Sequence, residues 1–339
     1  MRRVGLALLI AAAIAALGAP VLAPHQPDAY FRALGNAPPT LPHVIDDAGA
    51  WHAPFIYPWT LANRLEQRFE QDRSMRVPLV WFSGGRLVQS ADDARAPLLL
   101  DGADAQGRDV FSRLLFGART SLGMALVAAL GATLLGAVIG GMAGYVGGVV
   151  DDALMRASDF VLVLPAIYVV LVLRAMLRLV LEPREVFLLL VAILSVVGAP
   201  FVARGVRAIV RTERQLEYAI AARSLGAGHA RLLARHLLPA ASGYIVVQLT
   251  MLVPAFIIAE ATMSYIGLGF PDPIASWGAM LHDASNTRAL VDFPWLLSPA
   301  VAIFLVVLGL NLLLQQPGVN PLVGRSEVLR YNRTGDSSS

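Results

Sequence analysis

The chain contains no cysteine, which excludes disulfides, thiolate nucleophiles and Cys-ligated zinc. It contains no lysine either, since all 27 of its basic residues are arginine. A phosphate loop of the GxxxxGK[ST] kind needs a lysine on the nucleotide phosphates. The chain is therefore no ordinary P-loop ATPase, and ATP-driven work would fall to a partner. Charge is scarce as well: 15% of the 339 residues, where a soluble domain carries roughly 25%. The deficit lies in long apolar blocks, so the sequence reads as a membrane protein. A pI near 9.5 invites a nucleic-acid reading, but the arginines cluster beside the apolar blocks, as the positive-inside rule expects. His25, His43, His52, His229, His236 and His282 show no ligand spacing, so no metal site is expected.

A helix crossing a hydrocarbon core of ~30 Å needs about 20 mostly apolar residues. Six segments qualify: 4–23, 120–144, 160–181, 186–203, 241–262 and 296–316. The first follows Arg2 and Arg3. Val21 and Ala23 would suit a leader's cleavage site, whereas Pro24 directly after them favours an uncleaved anchor. Arg204, Arg207, Arg211, Arg214, Arg223, Arg231 and Arg235 crowd 203–239 against only Glu213 and Glu217, which predicts that this stretch is cytoplasmic. Counting spans outward puts both termini inside and 24–119 outside.

The stretch 24–119 is too long for a plain loop, and ten of the chain's 21 prolines fall in the first 100 residues. Leu61, Leu65 and Phe69 have helical spacing within 61–74. "VPLVWFSGGRLVQ" (77–89) predicts a β-hairpin turning at Ser83, Gly84 and Gly85. With Trp51, Trp59 and Trp81 nearby, 24–97 reads as a small ordered α/β subdomain.

"EYAIAARSLGAGHARLLARHLLP" (217–239) divides into two short helices around Gly226, Ala227 and Gly228, which permit a sharp turn. Pro239 suits the first turn of the next membrane helix. Ala221 and Ala222 let another surface approach the backbone. Physics alone leaves two readings open: a socket-filling elbow, or an interfacial helix held to anionic lipid by arginine.

This segment resembles the EAA loop of permease subunits of bacterial ABC importers, matching at Ala221, Ala222, Gly226, Leu238 and Pro239; Ile220 stands where a glutamate is common. "DAQGRDVFSRLLFGARTSL" (104–122) looks like the block before the second span of the dipeptide/oligopeptide branch. "AGYVGGVVDDALMRASD" (143–159) matches that branch at Ala143, Gly144, Tyr145, Gly147, Gly148, Asp151, Met155, Arg156 and Asp159. "AEATMSYIGLGFPDPIASWGAML" (259–281) resembles a fourth block. Together the blocks cover about 98–316; neither 24–97 nor the tail 317–339 takes part.

The resemblance implies an all-α membrane protein of the type I importer permease (MetI-like) kind, with 24–97 as an insertion after the first helix. It places 98–316 as the permease domain with coupling loop 203–239, in the bacterial inner membrane, and 317–339 as a cytoplasmic tail. It implies a homologous second permease, two ABC ATPases carrying ATP and Mg, an extracytoplasmic solute-binding protein and surrounding lipid, with no cofactor on this chain and no nucleic acid. Coupling to the ATPase would fall to Glu217, Tyr218, Ala221, Ala222, Arg223, Gly226, Leu238 and Pro239, with Asp151, Arg156 and Asp159 as salt-bridge candidates. Peptide is the implied cargo; nickel, an opine or an oligosaccharide fits the same architecture. A secondary transporter would need an internal repeat of spans, and none is evident; a membrane-anchored signalling protein whose outer subdomain is the functional part is the remaining alternative.

Three charges lie inside the apolar segments. Arg174 and Arg178 could attract a peptide carboxylate in an outer pathway or snorkel to the interface, Arg178 beside Glu182. Glu260 could line a gate or link neighbouring helices. The glycines at 131, 136, 140, 141 and 144 predict close helix packing.

Overall fold

The computed structural model describes residues 1–64, 66–164, 168, 172, 182–285 and 291–314. Helix α1 is Arg2–Leu22. The strands β1 (His43–Ile45), β2 (Trp51–Ile56), β3 (Trp59–Asn63), β4 (Arg68–Gln71), β5 (Val77–Trp81) and β6 (Val88–Ser90) follow. The helical part then runs α2 (Val110–Val146), α3 (Gly148–Val163), α4 (Pro183–Glu213), α5 (Glu217–Ser224), α6 (His229–Leu232), α7 (Leu238–Ala240), α8 (Ser242–Tyr265), α9 (Trp277–Asp283) and α10 (Ser298–Leu314). Five of the described helical segments are long and apolar enough to cross a membrane: Arg2–Leu22, Val110–Val146, Arg184–Glu213, Ser242–Tyr265 and Pro294–Leu314. Most of the expected span 160–181 lies outside the described residues.

Local chemistry sets the helix ends. Asp109 caps α2 by accepting from the Phe111 amide at 3.0 Å. Glu182 and Glu185 form a reciprocal capping box at the start of α4, with Pro183 in the first turn, which satisfies donors that a helix otherwise leaves unpaired. Between α2 and α3 the chain breaks at Gly147 and Gly148, both at positive φ (74° and 58°), a conformation costly for any residue with a Cβ.

The centre of the bundle is α2 against α4. Ala125, Ala128, Ala129 and Ala132 face Leu190, Ile193, Leu194, Val202 and Val206, all buried. A Cβ on Gly136 would come within 2.6 Å of the Ala199 carbonyl, one on Gly144 within 2.6 Å of the Arg207 carbonyl, and one on Gly140 would strike the Ala203 backbone. The two helices thus meet backbone to backbone. Lipid gives helices no hydrophobic reason to associate, so close packing of small residues supplies the attraction. At the edge, α1 lies on α10, where Gly5 approaches the Gly309 carbonyl.

The helices extend further than hydropathy indicated. The fourth expected span, 186–203, is the middle of a helix that continues unbroken to Glu213, so Arg204, Arg207 and Arg211 stand on helix and not on loop. Apolar character ends where the chain leaves lipid, whereas backbone hydrogen bonding continues. The stretch 143–159, matched above as a sequence block only, ends in helix α3 from Gly148 onward.

In the insertion, β1, β2, β5 and β6 form one antiparallel sheet in the order β1-β2-β5-β6, and β3 pairs with β4 separately. Ile56, Val77, Leu79, Ala96 and Leu98 make its core. The expected hairpin over 77–89 forms, pairing Leu79 with Ser90 and Trp81 with Val88, with Gly84 and Gly85 at positive φ in its turn. The helix expected over 61–74 does not form. Leu61 and Phe69 are instead cross-strand partners in the β3–β4 hairpin. Their eight-residue separation suits one helix face and equally suits two strands folded about an intervening turn, and Trp59, Thr60 and Phe69 favour extended backbone.

Candidate functional site

The elbow after α4 is built from the end of that helix outward. Arg214 terminates α4 and donates from Nη1 to the Tyr145 carbonyl at 2.7 Å. A cation there satisfies an end carbonyl of α2 and faces the negative end of its dipole. The Tyr145 hydroxyl pairs with Nδ1 of His229, so the second limb of the elbow is pinned to the same helix end. Between these pins runs α5, with Ala219 buried and Glu217, Tyr218, Ile220, Ala221 and Arg223 exposed. Tyr218 donates to Glu213 at 2.6 Å; partial burial and that carboxylate push its pKa up to about 12.

Gly226 turns the chain between the limbs at φ +87°, and nothing lies within 4 Å of where its Cβ would be. Its conformation, and not crowding, calls for glycine. The second limb passes from α6 through a π-turn over Leu233–Leu237 into α7, which holds Pro239 in its first turn. Leu232 and Leu237 are buried, while Leu233 and Leu238 lie over Gly141 of α2. An open cavity of ≈ 1010 Å³ separates the elbow from the bundle, lined in part by Tyr145, Arg214, Ala219, Arg223 and His229.

The candidates on α3 have partners within the chain. Asp151 accepts both Nε and Nη2 of Arg207, the latter at 2.6 Å, and Arg211 stands 4.0 Å away. The Arg207 hydrogen bonds hold the Asp151 carboxyl below the usual carboxylate range. Asp159 accepts from Arg204 at 2.5 Å. These two carboxylates therefore bind α3 to α4, while Arg156 is exposed. Asp151 has both oxygens engaged and is buried, whereas Asp159 stays exposed beside its Arg204 bond.

Glu260 is 1% exposed. Its carboxylate accepts from Ser121 on α2 at 2.8 Å and from Ser264 on its own helix at 2.7 Å, and Ser121 in turn accepts from the Trp277 amide. In this conformation Glu260 joins α2, α8 and the start of α9. Arg174 and Arg178 lie outside the described residues.

A second polar cluster, given no role by the sequence reading, lies at the opposite end of α2. Arg108 is 1% exposed and bonds Asp104 at 2.6 Å, Asp272 at 2.8 Å and Asp283 at 2.8 Å. Burial works against its charge, but the three carboxylates outweigh it and raise its pKa. Beside it, Asp109 accepts from Ser112 and pairs with His25 Nδ1 at 2.9 Å. Burial alone would lower the His25 pKa; the carboxylates of Asp109 and Asp93 raise it to about 9. The available signal was Asp104, Arg108, Asp109 and Arg113 packed into ten residues ahead of a long apolar run.

A family model described as "Binding-protein-dependent transport system inner membrane component" matches residues 114–316. The chain is similar to the oligopeptide transport system permease protein OppC of Bacillus subtilis (strain 168), 38% identical over 211 residues, 62% of this chain and 67% of that protein. It is similar to the dipeptide transport system permease protein DppC of the same organism, 40% identical over 212 residues, 62% of this chain and 64% of that one. It is also similar to the glutathione transport system permease protein GsiD of Pectobacterium atrosepticum, 36% identical over 212 residues and 68% of that protein. The chain thus spans about two thirds of these relatives. Among solved structures, an inward-facing MetNI methionine ABC transporter aligns with 58% of this chain and 93% of its own, at 19% identity and a TM-score of 0.44.

Proposed function

The chain belongs to the family of binding-protein-dependent transport system inner membrane components, and from that membership we propose that it is the permease subunit of an ATP-driven importer of di- or oligopeptides. Its type I permease fold is mostly helical and multi-pass, and such a subunit does not itself hydrolyse ATP. Peptide cargo is supported by the oligopeptide, dipeptide and glutathione systems that its relatives serve.

Both termini and 203–239 face the cytoplasm, and 24–97 faces outward. The permease domain is 98–316, and 317–339 is a cytoplasmic tail. A homologous permease completes the pathway, two ATPase subunits bind ATP and Mg²⁺, and an extracytoplasmic binding protein delivers peptide. Closure of the ATPases draws the elbows together, and the helices rock as rigid bodies between two openings. Glu217, Tyr218, Ala221, Ala222 and Arg223 form the contacting face; Gly226, Leu238 and Pro239 shape it. Arg174 and Arg178 are proposed as outer-pathway charges.

The observation that carries this reading is the double pin of the elbow, Arg214 to Tyr145 and Tyr145 to His229, which ties an exposed helix to the central pair α2–α4. Affinity purification of the tagged chain from its native membrane tests it. ATPase subunits should co-purify, and Gly226→Val should release them. Purification of transport-competent chain without any ATPase would sink the proposal.

A further inference from the structure

The β5–β6 hairpin is joined to the last turn of α1. The Leu87 amide donates to the Val21 carbonyl at 2.7 Å, and Arg86 donates to the Pro24 carbonyl. Helix α1 has 21 residues, about 31 Å at 1.5 Å per residue, which only just crosses a hydrocarbon core of ~30 Å. Its final turn therefore marks the membrane boundary. Phe82 donates its amide to Leu87 at 3.0 Å, so Phe82 stands one strand spacing, about 5 Å, from the residue that touches that turn.

The side chains at this tip are not those of a water-facing turn. Val77 and Leu79 enter the insertion's core, but the strand runs on past it. There Trp81 is 52% exposed and Phe82 79% exposed. Phe82 also holds φ +53°, a conformation uncommon for a bulky residue. Gly84, Gly85 and Arg86 complete the turn. Trp and other aromatics beside an arginine form the pattern that settles where headgroups meet acyl chains. That zone is about 5–7 Å deep on each side of the bilayer, and Phe82 lies about one strand spacing from the residue bonded to the end of α1.

We infer that the turn Trp81–Arg86 is a membrane-interface anchor, with Trp81 and Phe82 seated among the phospholipids of the leaflet where α1 ends. The hairpin would then fix the height of the whole insertion over the bilayer. The inference requires α1 to cross the membrane; it does not depend on cargo, on ATPase contact or on which leaflet this is.

Because the chain has no cysteine, Phe82→Cys carries its only thiol. A nitroxide is attached there, with the full chain in phosphatidylcholine nanodiscs, and its collision rates with oxygen and a soluble nickel chelate are measured. The expected oxygen-to-nickel ratio lies at least threefold above that of free label in buffer and below that of Leu130→Cys, at the exposed middle of α2. In parallel, lipids brominated at carbons 6 and 7 should quench wild-type tryptophan emission more than they quench Trp81→Phe. A label at 82 as open to nickel as free label overturns the inference, as does quenching unchanged by Trp81→Phe. Nickel access lost only on adding the solute-binding protein also overturns it, since the tip would then be a protein-docking surface.

Discussion

Asp151 on α3 and Arg207 on α4 share two parallel hydrogen bonds across 56 positions of sequence. The pair is bidentate, the geometry in which arginine and carboxylate bind best. It fixes the first turn of α3 to a helix that ends at the elbow.

Breaking that pair by Asp151→Asn should cost about 1.5–3 kcal/mol of stability, the usual value of hydrogen bonds to charged groups. Transport should fall before the fold is lost, because α3 loses its tie to the elbow-bearing helix. Thermal unfolding of the solubilised complex and uptake into vesicles measure the two effects. The exchanged double variant Asp151→Arg, Arg207→Asp should recover part of both; no recovery would mean that the pair is not acting as a pair.

Gly226 sits at φ +87° with open space around it. Gly226→Ala should therefore cost roughly 1–2 kcal/mol through backbone conformation alone, and Gly226→Asn less, since asparagine tolerates that region. Gly226→Val should be the most damaging of the three. ATPase co-purification ranked in the order Gly, Asn, Ala, Val would match this account, whereas equal loss for all three would point to a contact with the missing hydrogen.

The row of glycines on α2 gives an internal control. A Cβ at Gly140 meets the backbone of Ala203, while one at Gly123 meets nothing within 4 Å. Gly140→Ala should lower the melting temperature, at a cost of about 1–3 kcal/mol for overpacking. Gly123→Ala should leave it unchanged or raise it, since alanine is the better helix former.

His25 supplies a pH dependence. Its folded pKa, raised to about 9 by Asp109 and Asp93, lies above the ordinary histidine value of about 6.5. The stabilisation is therefore complete below about pH 6.5 and is lost as pH rises through about 9; its size is about 3 kcal/mol. Melting curves from pH 6 to 10 should fall more steeply for wild type than for His25→Gln. Parallel curves would mean that the imidazole is neutral in the folded chain.

The sequence exposed the helical architecture because lipid demands long apolar runs, and it exposed the elbow because glycine, proline and clustered arginine each have a narrow structural use. Glycines at 136, 140 and 144 announced a close approach between helices, although the partner, Ala199 to Arg207, lies too far along the chain for any local pattern to name it. Charge pairing was less legible. Asp151 and Asp159 read as free to meet another subunit because their partners stand 56 and 45 residues away. The strands at 59–71 misread as helix for a different reason: Leu61 and Phe69 satisfy both periods, and the turn between them carries no glycine or proline to break the tie. The Arg108 cluster draws on Asp272 and Asp283, more than 160 residues distant, which no local pattern reveals.

Backbone contact along Gly136, Gly140 and Gly144, closed at one end by Arg214 on Tyr145, leaves α2 and α4 no slack between them. Under the proposed coupling role, a load applied to α5 would reach the far tips of both helices together, as in a braced strut. Helix α8 shares far less surface with α4 than α2 does, and its tie to the strut is made at α2, through Glu260 on Ser121.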